Sequence, residues 1–274
     1  MAFLKGVVSV AKIHSTAIVD AKAKIAENVE IGPFCMVGAK VRIGEGTKLL
    51  KYCNVEGHTE IGENNTLYPF VSLGTMPQDF AYEEYVSYLK IGDGNIFKEG
   101  FTANPGTGEH AETVIGNNCL FMANSHVGHN CKVGNNIILA NCSALSGYTE
   151  VGDFTIISGL VGTHQFIRIG KHVMISGGSV FSMDIPPYAI AEGRNGAIKT
   201  ANIIGLKRKG FSKEAIKAIR AMYKIFFKSG LNVSNALARI ENELEMIPEV
   251  KEFVDFVKSS KRGVLHGRSV NRRS

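Results

Sequence analysis

Residues 115–157 read IGNNCLFMANSHVGHNCKVGNNIILANCSALSGYTEVGDFTII. A large apolar residue stands at every sixth position: Ile115, Phe121, Val127, Val133, Leu139, Leu145, Val151 and Ile157. An amphipathic helix would repeat its apolar residues about every 3.6 positions and a half-buried strand about every 2. A period of six fits neither. It fits a short strand followed by a corner, repeated, with one side chain per repeat pointing into a common interior.

The same series runs upstream in the same register, through Ile25, Ile31, Val37, Ile43, Leu49, Val55, Ile61 and Leu67. Over residues 13–73, 91–103 and 115–181 the register has 26 positions, and 24 hold Ile, Val, Leu or Phe. Ala103 and Thr163 are the exceptions. With 45% hydrophobic residues overall, chance would fill about half of them. Glycine often follows the apolar position, as at Gly32, Gly44, Gly62, Gly92, Gly116, Gly134 and Gly152, and a small residue there is read as allowing the bend. Three sides make a coil of 18 residues. One coil cannot bury its own apolar row, so its neighbours must supply the missing contacts. Each buried aliphatic then contributes ~1.5–3 kcal/mol, against chain entropy.

The register breaks at residues 74–90 (GTMPQDFAYEEYVSYLK) and 104–114 (NPGTGEHAETV), which read as loops leaving the prism. Loops on a rigid scaffold are where function concentrates. The period ends near Pro186-Pro187, and a helical pattern follows. Ser212 is placed to cap AIKAIRAMYKIFFKS with Gly230 as its stop, Ser234 precedes NALARIENELE, and Pro248 starts EVKEFVDFVKSS. The reading is a β-helix over residues 1–190 and a helical domain over 191–274 that ends in a basic tail.

Composition narrows the function. The five cysteines form no CxxC pair, which argues against a disulfide framework or a zinc knuckle and suits a reducing cytoplasm. The net charge is +6, partly carried by the tail KRGVLHGRSVNRRS, read as a solvated end. No apolar run reaches the ~18 residues of a membrane span, and the N-terminus reads as mature protein. No GxGxxG, P-loop or nucleic-acid motif is present, and no metal site is expected.

Among eight histidines, two stand together in NSHVGHN, residues 124–130. One coil beyond His129 in the 18-residue repeat is Gly147, and a further coil is Gln165, with His164 beside it. Coils stack at about 4.8 Å, the spacing of strands in a sheet. An imidazole beneath a glycine amide could activate a hydroxyl and hold an oxyanion. The competing reading is a hydrogen-bond ladder of His and Asn at the corners. His14, His58, His110, His172 and His266 show no comparable constellation.

The segments HSTAIVD, IGPFCMVG, PQD (residues 77–79), NSHVGH, GTHQF (residues 162–166), DIPPY (residues 184–188) and GLKRKGFS span nearly the whole chain. On them the chain resembles the UDP-N-acetylglucosamine O-acyltransferases of lipid A biosynthesis. The resemblance implies a left-handed β-helix with C-terminal helices, assembled as a homotrimer with active sites between subunits. It implies transfer of a 3-hydroxyacyl chain from acyl carrier protein to the 3-hydroxyl of the sugar nucleotide. No cofactor is implied, since 4′-phosphopantetheine arrives on the carrier protein. His129 falls on the general base and Gly147 on the oxyanion glycine. His126, Gln78 and Asp79 fall on the sugar and acyl region, and His164, Gln165, Asn202 and Arg208 on contacts to the nucleotide sugar or donor arm. Gly177, with Met174 nearby, falls where acyl length is measured.

Four positions depart from the family pattern. Asn130 stands where Asp usually follows the base; it can orient the imidazole but supplies no adjacent carboxylate for the imidazolium. Tyr148 stands for His, Ile204 for Glu, and Asn104-Pro105 for His-Arg. Tyr148 adjoins the oxyanion glycine and is grouped with the substrate contacts. Two other readings therefore stay open: an acyltransferase acting on another nucleotide amino sugar, and a β-helix binding protein that has lost catalysis. A trimeric metal hydratase is disfavoured because the histidines and helical domain are otherwise explained.

Overall fold

The computed structural model describes residues 10–80, 82–193 and 197–265. The expectations for the first nine residues, for His266 and for the end of the basic tail lie outside the described residues. The chain divides into two units, Met1–Asn136 and Ile137–Ser274.

In the first unit, short strands stack into three parallel sheets, each entered once per coil. One runs Lys12–Ile13, Glu30–Ile31, Lys48–Leu49, Thr66–Leu67, Ile96–Phe97, Leu120–Phe121. The second runs Ile18–Val19, Met36–Val37, Asn54–Val55, Ser72–Leu73, Thr102–Ala103, His126–Val127. The third contains Arg42–Ile43, His58–Ile61, Tyr88–Ile91 and Glu112–Ile115. Glu30 pairs with Lys48, but Thr66 pairs with Ile96 and Ile96 with Leu120. The two loops thus lengthen a coil of 18 to 30 and then 24 residues. Both are multiples of six, which is why the register resumes in phase. Both loops are shorter than the sequence suggests, because Tyr88–Ile91 and Glu112–Ile115 are paired strands. Their second, inward alternation (Leu89, Thr113) lies off the six-residue register and hid them.

The corner does not lie where the glycines suggested. The bend falls three residues after each inward side chain, where Asn28, Asn64, Asn118, Asn124, Asn130 and Asn136 all have φ between 54° and 58°. Asparagine tolerates this left-handed region better than most residues. The glycine beside the inward residue is demanded by the next coil instead: a Cβ on Gly32 would lie 1.6 Å from the Leu50 carbonyl oxygen.

Phe97, Phe101 and Phe121 are fully buried, and the Phe97 and Phe121 rings stack at 5.1 Å. Ala103 shares its coil with two of these rings, so a small residue there keeps the interior volume constant.

The second unit continues the pattern with Ile138–Leu139, Ile156–Ile157 and Met174–Ile175 on one side, and Ala144–Leu145, Gly162–Thr163 and Val180–Phe181 on another. Thr163, the second exception to the apolar register, is buried and accepts a hydrogen bond from the Ser146 N–H at 2.9 Å. Parallel pairing persists past the proline pair: Met174 faces Ile190 and Ile175 faces Ala191. Ala189–Glu192 then turns back antiparallel with Ala197–Ala201. A hairpin therefore precedes the helices.

The helices are α1 (Ile203–Arg208), α2 (Lys213–Lys228), α3 (Val233–Glu243) and α4 (Pro248–Lys258). Ser212 caps α2, accepting from the Ala215 N–H at 3.0 Å. Asn232, not Ser234, caps α3. Ile219, Met222 and Phe226 of α2 bury with Phe253 and Val254 of α4. No helix among the described residues is long and apolar enough to cross a membrane.

Candidate active site

His129 follows the strand His126–Val127 and precedes the corner residue Asn130. It is 5% exposed. Both loops reach it. The first carries Asp79, whose Oδ2 lies 3.6 Å from His129 Nε2. The second carries Thr107, whose hydroxyl oxygen lies 3.2 Å from His129 Nδ1.

Asn130 fixes the imidazole. The Thr107 N–H donates to Asn130 Oδ1 at 2.8 Å and the Thr107 hydroxyl donates to it at 2.9 Å. The Asn130 Nδ2 donates to the Thr107 carbonyl at 3.3 Å. These contacts determine which atom of the amide is oxygen. That oxygen lies 2.9 Å from His129 Nδ1. A lone pair on Nδ1 would face another lone pair, so Nδ1 carries the proton and Nε2 presents its lone pair. This is the tautomer a general base needs if its reacting nitrogen is Nε2.

The sequence offered no adjacent carboxylate for an imidazolium at His129. The structure adds a carboxylate from elsewhere: Asp79, on the first loop, lies beside the opposite ring nitrogen. That loop is held by Asn104. Its buried amide donates to the carbonyls of Thr75 at 2.9 Å and Met76 at 3.1 Å. Gln78, next to Asp79, is exposed.

His126 pairs across the sheet with Thr102, Nδ1 to hydroxyl at 2.8 Å. Burial pushes this imidazole below its ordinary value; the Thr102 contact opposes the shift and the charge of His129 reinforces it. His126 is thus held neutral.

In the second unit, Gly147 is buried, and its carbonyl accepts from the Phe166 N–H at 3.1 Å. At other corners the equivalent N–H is satisfied by a side chain one coil on: Glu63 by Asp93, Asp93 by Asn117, Asn117 by Asn135. No described residue accepts from the Gly147 N–H. Tyr148 is a corner residue with φ 60°, its ring stacked on Phe166 at 4.4 Å. The aromatic ladder gives a packing reason for Tyr148.

His164 and Gln165 are exposed, the His164 Nδ1–H donating to the Gln165 carbonyl at 3.1 Å. Met174 and Gly177 are exposed. A Cβ at Gly177 would meet the Gly159 carbonyl oxygen at 3.2 Å, so coil packing favours glycine there too. Asn202 is buried and serves the fold directly. It caps α1 through Gly205 N–H at 3.2 Å and donates to the His172 carbonyl at 3.0 Å. Arg208 is exposed in the last turn of α1, and Ile204 is 67% exposed.

Sequence reasoning missed Thr107, because nothing in its local pattern marks it. It also missed a cleft of about 980 Å³ between the strand Ala197–Ala201 and α2. Lys199, Arg220, Lys224 and Lys228 line it, with Ile198 and Phe227. The readable signal was the spacing of the three α2 cations, four apart on one helix face.

Two family models match: UDP N-acetylglucosamine O-acyltransferase, domain 2, over residues 184–265, and bacterial transferase hexapeptide (six repeats) over residues 112–147. An acyl-[acyl-carrier-protein]–UDP-N-acetylglucosamine O-acyltransferase of Thiobacillus denitrificans is 47% identical over 256 residues, covering 93% of this chain and 99% of the relative. The chain belongs to the UDP-N-acetylglucosamine O-acyltransferase family. The Pseudomonas paraeruginosa enzyme of the same description is 46% identical over 92% of this chain and 98% of its own. A UDP-N-acetylglucosamine acyltransferase structure from Bacteroides fragilis superposes with a TM-score of 0.91 at 42% identity, covering 93% of this chain and all of that one. The Acinetobacter baumannii structure gives 0.90 at 41% identity, covering 93% and 99%. Membership makes the chain an acyltransferase and its fold the left-handed parallel β-helix that the resemblance implied.

Proposed function

We propose that the chain transfers a 3-hydroxyacyl group from acyl carrier protein to the 3-hydroxyl of a UDP-N-acetylglucosamine-type sugar, in the first step of lipid A biosynthesis. The observation that carries this reading is His129 with Asn130 Oδ1 2.9 Å from Nδ1 and a loop carboxylate 3.6 Å from Nε2. His129 Nε2 takes the proton of the sugar hydroxyl as its oxygen attacks the thioester carbonyl. Asp79 balances the imidazolium that forms. Gly147 fits the oxyanion role through an N–H with no acceptor among the described residues. Collapse breaks the C–S bond, and the imidazolium returns its proton to the leaving thiolate. No bound cofactor takes part, because the thioester arm belongs to the carrier protein. Gln78, His126, His164, Gln165, Asn202 and Arg208 remain proposed substrate contacts, and Met174 and Gly177 the acyl ruler.

The working form is a homotrimer. Its support is an exposed corner ladder, Phe34, Tyr52 and Phe70, at 53%, 44% and 64% exposure, stacked at 5.2 and 5.4 Å. Monomers rarely leave such a patch in water. Light scattering at micromolar concentration is expected to give three times the chain mass; the mass of one chain would refute the trimer. Five free cysteines, four of them buried, support a cytoplasmic setting.

One observation favours a second acceptor. Ile204 is exposed where the family pattern has a carboxylate, so it offers no hydrogen bond to a sugar hydroxyl. The expected outcome is weaker selectivity for UDP-N-acetylglucosamine than is typical of the family. Thiol release from 3-hydroxyacyl carrier protein, measured across UDP-sugars including a 3-amino analogue, checks this. A kcat/KM for UDP-N-acetylglucosamine far above every other acceptor would count against relaxed selectivity. Thioester consumption with no acceptor of any kind would count against transfer.

A further inference from the structure

We infer that Thr107 is a positioning residue for His129, acting through Asn130 to lock the proton on Nδ1 and leave Nε2 as the nitrogen with the lone pair. The inference rests on the general-base reading above for its kinetic consequence, but its tautomer claim stands on geometry alone.

Asn130 by itself could not do this. A terminal amide can turn over, exchanging oxygen for NH2, with little cost when its surroundings are indifferent. An NH2 group facing Nδ1 would invert the imidazole, placing the proton on Nε2 and the lone pair on the wrong side. Thr107 makes the surroundings decisive. Its backbone N–H and hydroxyl both donate to Asn130 Oδ1, at 2.8 and 2.9 Å, and its carbonyl accepts from Nδ2 at 3.3 Å. Reversing the amide would set NH2 against two donors and oxygen against a carbonyl.

The anchoring extends into the coil below. The Asn130 N–H donates to Thr113 Oγ1 at 2.7 Å, and its backbone holds the corner at φ 58°. So the amide has a fixed base and a fixed cap. The Thr107 hydroxyl also lies 3.2 Å from Nδ1, a second acceptor for the same ring proton. A neutral amide held by three contacts thus does the orienting, while Asp79, on the far side of the ring, carries the charge. Orientation and charge, which one carboxylate beside the base would combine, are divided here between two loops.

The test uses the full-length protein with 15N-labelled histidine. Thr107→Val keeps the backbone N–H and the shape but removes the hydroxyl. Asn130→Leu removes the acceptor, and the corner accepts it, since Leu160 occupies an equivalent corner at φ 59°. In the wild type, the His129 nitrogen spectrum is expected to show Nδ1 protonated and Nε2 bare. Both variants are expected to raise the Nε2–H tautomer and to lower kcat by about 10–100-fold, the range for losing an outer-shell orienting contact, with KM within about twofold. Thr107→Ser is expected to restore both. An unchanged tautomer in the folded Val and Leu variants would overturn the inference, as would failure of Ser to restore it. An altered tautomer with unchanged turnover would leave the clamp standing and sink the general-base reading.

Discussion

Replacing His129 with alanine is expected to lower acyl transfer by ~10²–10⁴-fold, the usual contribution of a general base. Among the described residues, the neighbouring histidine is poorly placed to substitute. His126 is occupied by Thr102 and kept neutral by burial, and its ring lies on the strand before the loop-enclosed position. The loss should fall on kcat and kcat/KM alike, because proton removal matters only as the sugar oxygen attacks. The corner itself should survive, since Asn130 keeps its three contacts to Thr107 and its bond to Thr113. Steady-state thiol release, with thermal unfolding as a control, measures both. Near-normal turnover in a folded His129→Ala enzyme would return NSHVGHN to the scaffold.

Phe121→Ala is expected to cost about 3–5 kcal/mol of stability, the range for deleting a buried aromatic ring. Phe121 is fully buried, stacked at 5.1 Å on Phe97 and packed at 4.8 Å against Phe101. A solenoid has no distant core to compensate; each coil leans only on its neighbours. The coils enlarged by the two loops are the ones these rings fill. Loss of the ring should therefore loosen the footing of both loops as well as the prism. Denaturant unfolding checks it, and a change below about 1 kcal/mol would mean that the interior can collapse around the gap.

The repeat was legible because its chemistry is one-dimensional. An inward residue every six positions is a statement about burial, and burial is written in side-chain type. Even the register across both loops survived, since each insertion is itself a multiple of six. The corner was misplaced by two residues because glycine suggests a bend, whereas here asparagine makes it and glycine only admits the next coil. The hairpin after the proline pair was missed because Pro186-Pro187 reads as a stop, yet Ile190 still pairs with Met174.

The site was half legible. His129 was singled out by coil arithmetic and by resemblance. Asp79 was assigned to the sugar, and the structure adds its approach to Nε2. Thr107 had no signal at all, since it acts through backbone as much as through hydroxyl, and backbone leaves no mark in sequence. Asn130 was read as able to orient the imidazole without supplying a carboxylate. In place, it is a corner former and an orienting acceptor at once.

Acyl transfer to the sugar is tested most directly by the product of a single reaction. Purified enzyme is mixed with 3-hydroxyacyl carrier protein and UDP-N-acetylglucosamine, and every thiol and sugar nucleotide is followed by mass spectrometry. The expected yield is one free carrier thiol for each acylated UDP-N-acetylglucosamine, with the acyl group on oxygen and released by mild alkali. Intact thioester and unmodified sugar after prolonged incubation, in protein shown to be folded, would be incompatible with O-acyl transfer by this chain.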